Sequence, residues 1–505
     1  MVYMSLITRN SDKIEGVLCC FDRVVLRGTL PTICYAQGMT SYLNSKGIRI
    51  FDYPRFAEPF RDIINENAKR IAEENGLKIE FIRKQKAFRK EQRISKILEG
   101  RGSAPGLVHI FSAMETCESY KPWHDKRSGK TFLRPDIGKC LHYYFYFIDP
   151  ELGLCYLRVP TWAPFRLQFY FNGHNLLASK LEKQGLKNEM LDNAFVQIED
   201  WKRAQKMSDD WKVSDLHNAL DWYVEQFCPV TKEFETKYHW SIMQVEYATD
   251  VVFKRQADLQ DVYDTLIRTA IHTVKPDKVA TFLGRKLNGN YQDEMGNDFN
   301  TRIEGTRIKH HMGPVSIKMY DKFGLILRIE TTANDVSFFK HHRMVEQRDG
   351  QQVFKLAPVK KSIYSLQPDL RDVMGASNRR YLDFLSSIDD PSSGIKALKK
   401  VSTSIKENGK TYKGFNFFNG DDQALLEIVV RGEFNISGMR NSDIRKSIPQ
   451  KSPSQVSHLL KRLRTHGLIK KVGRTYKYYL TSFGRKVILS GLKLKNLVLI
   501  PELCH

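Results

Sequence analysis

No stretch of the 505 residues reaches the roughly 18 consecutive apolar residues of a membrane-crossing helix, so no such helix is expected. The first residues, MVYMSLITRNSDKIEG, lack an apolar core long enough for a secretory signal. The eight cysteines (Cys19, Cys20, Cys34, Cys117, Cys140, Cys155, Cys228 and Cys504) form no C-x-x-C pair and no zinc spacing. Reduced thiols and a cytoplasmic location are the expectation. There is no G-x-x-x-x-G-K-[ST], no H-E-x-x-H, no His-x-His and no internal repeat, which removes P-loop, zincin and solenoid readings. Acidic residues are also short. Asp and Glu number 57 against 80 Lys and Arg, a net charge of +23 that favours polyanionic partners.

What is present reads as an α+β chain. GVLCCFDRVVL (16–26), LKIEFI (77–82) and GLVHIFSAME (106–115) read as strands separated by helices at 58–75 and in FRKEQRISKILEG. Strands alternating with helices predict an α/β layer over 1–139 with parallel pairing. Residues 140–400 predict a mixed core: a hairpin turning at Asp149–Gly153, a mainly helical 174–275, and strands again over 300–360. The polar, Ser- and Lys-rich stretch before residue 421 reads as a linker at 401–420, followed by a small domain at 421–495 and a tail at 496–505.

The small domain carries the clearest pattern. Helical periodicity over DDQALLEIVVRGEF and ISGMRNSDIRKSIP is followed by SPSQVSHLLKRLRTHGLIKKV, with Ser452 as N-cap and Pro453 at the first helical position. Val456, Leu459, Leu460 and Leu463 form its apolar stripe, Gly467 ends it, and LIKKVGRTYKYYLT turns back at Gly473-Arg474. Helix, helix, third helix and basic hairpin resemble the winged helix–turn–helix of MarR-like and ArsR-like DNA-binding proteins. From Arg431 to Lys495 there are 16 Lys or Arg against two acids, a net +14 of the chain's +23. The resemblance implies duplex DNA as partner, with Gln455, Ser457, His458 and Arg462 facing the major groove and Lys461, Arg464, Arg474 and Lys477 holding phosphates. A protein-interaction module is the alternative, and a homodimer stays open.

The stretch VSIKMYDKFGLILRIET (315–331) predicts a β-hairpin. With Lys322-Phe323-Gly324 as its loop, Lys318 stands opposite Arg328, a like-charge pair that a phosphate or a carboxylate such as Glu330 would relieve. In that register Tyr320 and Glu330 are about 13 Å apart, too far for one compact site. The segment resembles the tyrosine–lysine and arginine–glutamate strand pair of plasmid and filamentous-phage replication initiators, which nick DNA with a tyrosine and a metal. That resemblance implies catalytic Tyr320 and Glu330, while Lys318 and Arg328, sharing the hairpin face with Glu330, are candidate phosphate-binding residues. A purely structural hairpin is the alternative.

Further acids are candidates. Asp22, inside an apolar strand, needs a partner; it sits as the first metal carboxylate of an RNase H-like nuclease does, or forms a structural ion pair. Glu115 is expected to approach it at a sheet edge. Glu246 and Asp250 in QVEYATDVVF share one face of a predicted helix, where with Glu330 they are candidate ligands for Mg²⁺ or Mn²⁺, or else solvated acids. His310–His311 and His341–His342, set among basic residues, read as nucleic-acid surface. The order FDRVVLRG, EYATDVVFK, IKMYDKFGLILRIE, NRRYLD and basic tail resembles that of a group of bacterial proteins of similar length that look like mobile-element products. The expected function is DNA processing by nicking, transposase-like or replication-initiator-like chemistry. A non-enzymatic MarR-like regulator and an RNA-directed nuclease or RNA-binding protein are the alternatives.

Overall fold

The structure, a computed structural model, describes residues 6–83, 88–234, 236–285, 295–302, 305–347, 349–388, 391–434, 438–473, 475–500 and 503. The chain divides into two compact units, Met1–Asp389 and Asp390–His505. It is an α+β protein.

The first unit is built on one eleven-stranded sheet. In chain order its strands are β1 (Ile14–Thr29), β2 (Ile79–Phe81), β3 (Gly106–Asp125), β4 (Lys130–Asp149), β5 (Gly153–Pro160) and β6 (Leu167–Asn172). A small separate hairpin of β7 (Asn188–Leu191) and β8 (Ala194–Ile198) follows. The sheet then resumes with β9 (His239–Phe253), β10 (Met295–Arg302), β11 (Gly305–Met312), β12 (Val315–Lys322) and β13 (Ile326–Ala333). The spatial order is β10-β11-β12-β13-β9-β1-β6-β5-β4-β3-β2. Among the described strands only β2 and β3 run parallel, so the expected α/β layer is one parallel pair on an otherwise antiparallel sheet. The expected boundary at 139/140 falls inside β4, where a polar stretch pairs with β3 as regularly as the aromatic run after it.

QVEYATDVVF is strand, not helix. Val245, Tyr247 and Val251 are buried on one face while Glu246, Ala248 and Asp250 share the other. A spacing of four residues satisfies the period of a strand as well as that of a helix. One face of the sheet is the main core. There Val24, Leu26, Phe145, Leu157, Phe169, Phe171, Met319 and Ile329 lie under helices including Tyr53–Glu74, Val213–Phe227 and Arg371–Ile388.

The opposite face is polar and only partly covered. Helix Gly173–Lys183 and the β7–β8 hairpin close it over Leu18 and Cys20. Helix Lys90–Arg101 closes it over Phe111, Tyr144, Tyr146 and Tyr156. Between these covers it presents partly exposed Arg23, Gln168, Tyr170, Gln244, Glu246 and Lys318.

The second unit has its own core of Val456, Leu460 and Leu463 from helix Pro453–Thr465 against Leu425, Leu426, Val429, Ile444 and Ile488. Helices Gly420–Val429 and Asn441–Ser447 precede that helix; strands Ile469–Lys471 and Tyr478–Leu480 and helix Ser482–Leu494 follow it. Ser452 caps it reciprocally with Gln455, and Pro453 occupies its first turn. The expected linker at 401–420 is folded. Ile405–Glu407 pairs with Lys410–Tyr412, and Val401 and Phe415 are buried in the core beside it. Its Ser- and Lys-rich composition concealed these anchors.

Candidate functional site

The opening hairpin has a different register from the one expected. Its loop is Phe323-Gly324-Leu325, with Phe323 and Gly324 both at positive φ, and Leu325 N–H bonds to Lys322 O. Shifting the loop by one residue moves every cross-strand partner by two. Lys318 therefore faces Glu330 rather than Arg328, and Tyr320 faces Arg328. The like-charge pair is replaced by an ion pair, with Lys318 Nζ 2.6 Å from Glu330 Oε1. Tyr320 and Glu330 are also close after all: the phenol donates to Glu330 Oε2 at 2.8 Å. Burial first, then the neighbouring Glu330 charge, holds the Tyr320 phenol well above its ordinary pKa. In this structure the hydroxyl serves the site as a hydrogen-bond donor.

Three adjacent strands converge their acids here. One carboxylate oxygen each from Asp22 (β1), Glu246 (β9) and Glu330 (β13) lie within 4.8 Å of one another. A bulge in β1 makes this possible. Phe21 pairs with Tyr247 and Val24 with Val245, so Asp22 and Arg23 together oppose Glu246. The extra residue lets both side chains serve the polar face. Arg23 stands over the Tyr170 ring at 5.3 Å. Lys318 Nζ also reaches Glu246 Oε1 at 3.2 Å, and Thr332 Oγ1 lies 3.3 Å from both Glu246 and Glu330 oxygens. Burial and the nearby Glu330 charge raise the Glu246 carboxyl against the pull of Lys318.

A second, deeper layer fixes these acids. Arg328, fully buried, donates from Nε and Nη2 to Asp250 Oδ1 and Oδ2, each at 2.6 Å, and from Nη1 to Asp22 Oδ2 at 3.2 Å. Two expectations fail on this geometry. Arg328 has no exposed surface for a phosphate, and Asp250 is the other half of an ion pair, outside the three-acid cluster. His174 Nδ1 lies 3.3 Å from Asp22 and its Nε2 3.2 Å from Asp250. Asn172 and Asn193 each donate to Asp22 Oδ1, at 2.9 and 2.6 Å. Burial penalises the Asp22 charge, but Arg328, His174 and Asn172 outweigh it and depress its pKa well below the carboxylate range. Asp250 is lowered to about 2, with burial again outweighed by Arg328 and His174. Neither Arg23 nor Arg27 partners Asp22.

His174, Asn172 and Asn193 were missed from sequence. A local signal existed in FNGHN, where Asn172 caps helix Gly173–Lys183. Only glycine fits at 173, since a Cβ would come 2.1 Å from Phe21 O. That close approach sets His174 against Asp22. Glu115 does not approach the cluster. Its strand lies four places from β1, about 19 Å away, and it bonds to Tyr144 and Arg158. His310 is fully buried against Tyr381, with burial lowering it to about 4, so it is no surface group. His342 is exposed and stacks on Phe354.

In the second unit Gln455, Ser457, His458 and Arg464 are exposed on or beside the third helix, and Lys477 is half-buried. Gln455 carries the cap, Ser457 Oγ accepts from Asn441, and His458 stacks on Tyr412. Lys461 pairs with Glu407 at 2.8 Å. Arg462 does not face outward. Its guanidinium is clamped by both Asp422 oxygens and by the carbonyls of Lys413 and Gly414, above the Phe415 ring. Arg474 lies outside the described residues.

Chemically, three carboxylates at this spacing suit a hard divalent cation. The same acids are also compensated by Lys318 and Arg328, as a structural ion cluster requires. No protein-family model matches the chain, and no curated protein or solved structure matches it.

Proposed function

We propose that this is a nucleic-acid-processing protein that holds duplex DNA through its second unit and cleaves or transfers phosphodiesters on the polar face of the large sheet. The observation that carries this reading is the convergence of Asp22, Glu246 and Glu330 within 4.8 Å, on a face that also bears Lys318, Arg23 and Tyr170. Asp22, Glu246 and Glu330 are the residues that would hold Mg²⁺ or Mn²⁺, which supplies charge stabilisation at the transferring phosphate. Lys318 then turns from the acids toward the phosphate oxygens, and Arg23, held over the Tyr170 ring, offers a second cation. The net +14 of residues 431–495 and the order of three helices and a basic hairpin support a MarR-like hold on duplex DNA. A mobile-element nicking or strand-transfer protein fits this combination.

The second reading, a non-enzymatic MarR-like regulator, draws on the existing pairing of Lys318 with Glu246 and Glu330. The test is incubation of the full chain with supercoiled plasmid, single-stranded DNA and RNA, each with Mg²⁺ and with Mn²⁺. Nicking or cleavage of DNA is expected. Cleavage of RNA alone moves the substrate to RNA. Tight binding with every substrate left whole establishes the regulator.

A further inference from the structure

A second charged feature lies on the same polar face and takes no part in the acid cluster. Arg27 of β1, Arg158 of β5 and Arg166 just before β6 line one cavity of about 200 Å³. That volume is small for a drug-sized ligand and suits a phosphate-sized group. Arg27 and Arg158 both stand directly opposite Gln168, so the three form a row across adjacent strands. Met243 joins the lining because β9 bulges there: Val25 pairs with Gln244 and Leu26 with Ile242, leaving Met243 extra.

Three guanidinium groups around one small cavity repel one another unless anions answer them. Glu115 answers Arg158, with Oε2 2.8 Å from Nη2. Glu118 answers Arg166 at 2.6 Å and lies 3.9 Å from Arg27. The Glu118 side chain is 51% exposed, so it can leave. Arg166 Nε is buried and has no hydrogen-bond partner among the described residues. His142, also in the lining, is lowered to about 4 by burial and by Arg158, so it adds no charge at neutral pH. Glu115 is shared with Lys90, 3.7 Å away, so the two acids do not neutralise the three arginines, and the acid nearest two of them is the one free to move.

We propose that this arginine cavity binds a backbone phosphate of the same nucleic-acid strand whose reacting phosphodiester lies at the acid cluster. The proposal rests on the nucleic-acid reading of that cluster and extends it, making the substrate a polynucleotide rather than a mononucleotide. The spacing follows from the sheet. Gln168, opposite Arg27, and Asn172, opposite Arg23, are four residues apart on one strand, about 13 Å. At about 3.4 Å per nucleotide along a stacked strand, this spans about four nucleotides. Tyr170 lies between them on the same face, its ring stacked on Tyr156, and holds Arg23 beside the path of the intervening backbone. Glu118 holds the empty arginines and is displaced as the phosphate enters.

The experiment is calorimetric titration of the full chain, in EDTA so that no chemistry occurs, with a 5′-phosphorylated single-stranded hexanucleotide and separately with inorganic phosphate. Arg27→Gln, whose side chain is 40% exposed and has little role in folding, is expected to weaken hexanucleotide binding about tenfold. Glu118→Gln, which removes the competing anion, is expected to tighten it by a similar factor. Hexanucleotide binding that is unchanged in both variants overturns the proposal and leaves the arginines a structural network. Inorganic phosphate binding as tightly as the hexanucleotide also overturns it, because the cavity then takes a free anion and not a strand. Failure of the metal-site reading is seen separately. Glu246→Gln then leaves nuclease activity intact, while the EDTA titrations are unaffected by that result.

Discussion

Arg328 and Asp250 face each other across β13 and β9 in a two-point ion pair, with both contacts at 2.6 Å and neither residue exposed to solvent. This pair holds up the candidate site from beneath, because the same guanidinium also reaches Asp22. Removing one partner of a buried pair leaves a bare charge in the core and costs about 3–5 kcal/mol. Asp250→Ala is therefore expected to lower the unfolding free energy of the first unit by about that amount, measured by urea denaturation. A loss below about 1 kcal/mol would contradict a structural role for Asp250.

Acid is expected to undo the same support. Asp22 and Asp250 have carboxyls lowered in the folded state, so their contribution is fully present above the unfolded value near 4 and is lost as pH falls toward the folded values. For Asp250 that window runs from about 3.8 down to about 2. The melting temperature should fall steeply below pH 4, and the Asp250→Asn variant, already weakened, should show a shallower fall. Parallel pH profiles for the two proteins would count against this linkage.

Glu246 moves in the other direction. Its carboxyl is raised, chiefly by burial and then by Glu330, so its folded form holds a proton more tightly than the unfolded chain does. A divalent cation must displace that proton. Mn²⁺ affinity should therefore rise with pH above the ordinary glutamate value of about 4.5, and the steepness of that rise should drop in Glu246→Gln. Lys318→Met, which removes the competing ammonium, should strengthen Mn²⁺ binding. Weaker binding in Lys318→Met would contradict the placement of the ion among these acids.

In the second unit, Arg462 and Arg464 should separate stability from binding. Arg462→Ala breaks contacts to Asp422 and two carbonyls and is expected to cost about 2 kcal/mol or more of stability in that unit. Arg464→Ala, on an exposed side chain, should leave stability unchanged and reduce the salt dependence of duplex binding by about one phosphate contact. The two thermal melts and the two salt titrations check this together; a fully stable Arg462→Ala protein would be inconsistent with the clamp.

How much of this was legible depended on whether the deciding contact was local. The β1 strand, the β4–β5 turn and the third helix of the second unit follow from an apolar run, turn residues and a serine cap followed by proline, which lie within a few residues of one another. The hairpin register hung on which three residues form the loop, and a one-residue error there exchanged Arg328 for Glu330 as the partner of Lys318. Glu246 and Asp250 were found as acids but given to a helix, since their spacing fits either period. Arg462 lies off the apolar stripe and looked free; its partner Asp422 is 40 residues away. The meeting of Asp22, Glu246 and Glu330 depends on the strand order β13-β9-β1, which no local pattern encodes.

Whether the three-acid cluster cuts DNA is decided by metal-dependent nicking of supercoiled plasmid by wild type, Glu330→Gln and Glu246→Gln, with duplex binding measured on the same samples. Nicking by wild type in Mg²⁺ or Mn²⁺ is expected, with a fall in rate of at least about a hundredfold in each variant and unchanged duplex affinity. Wild-type nicking that persists at full rate in both variants, or a wild type that binds DNA tightly and never cuts it, would contradict that role for the cluster.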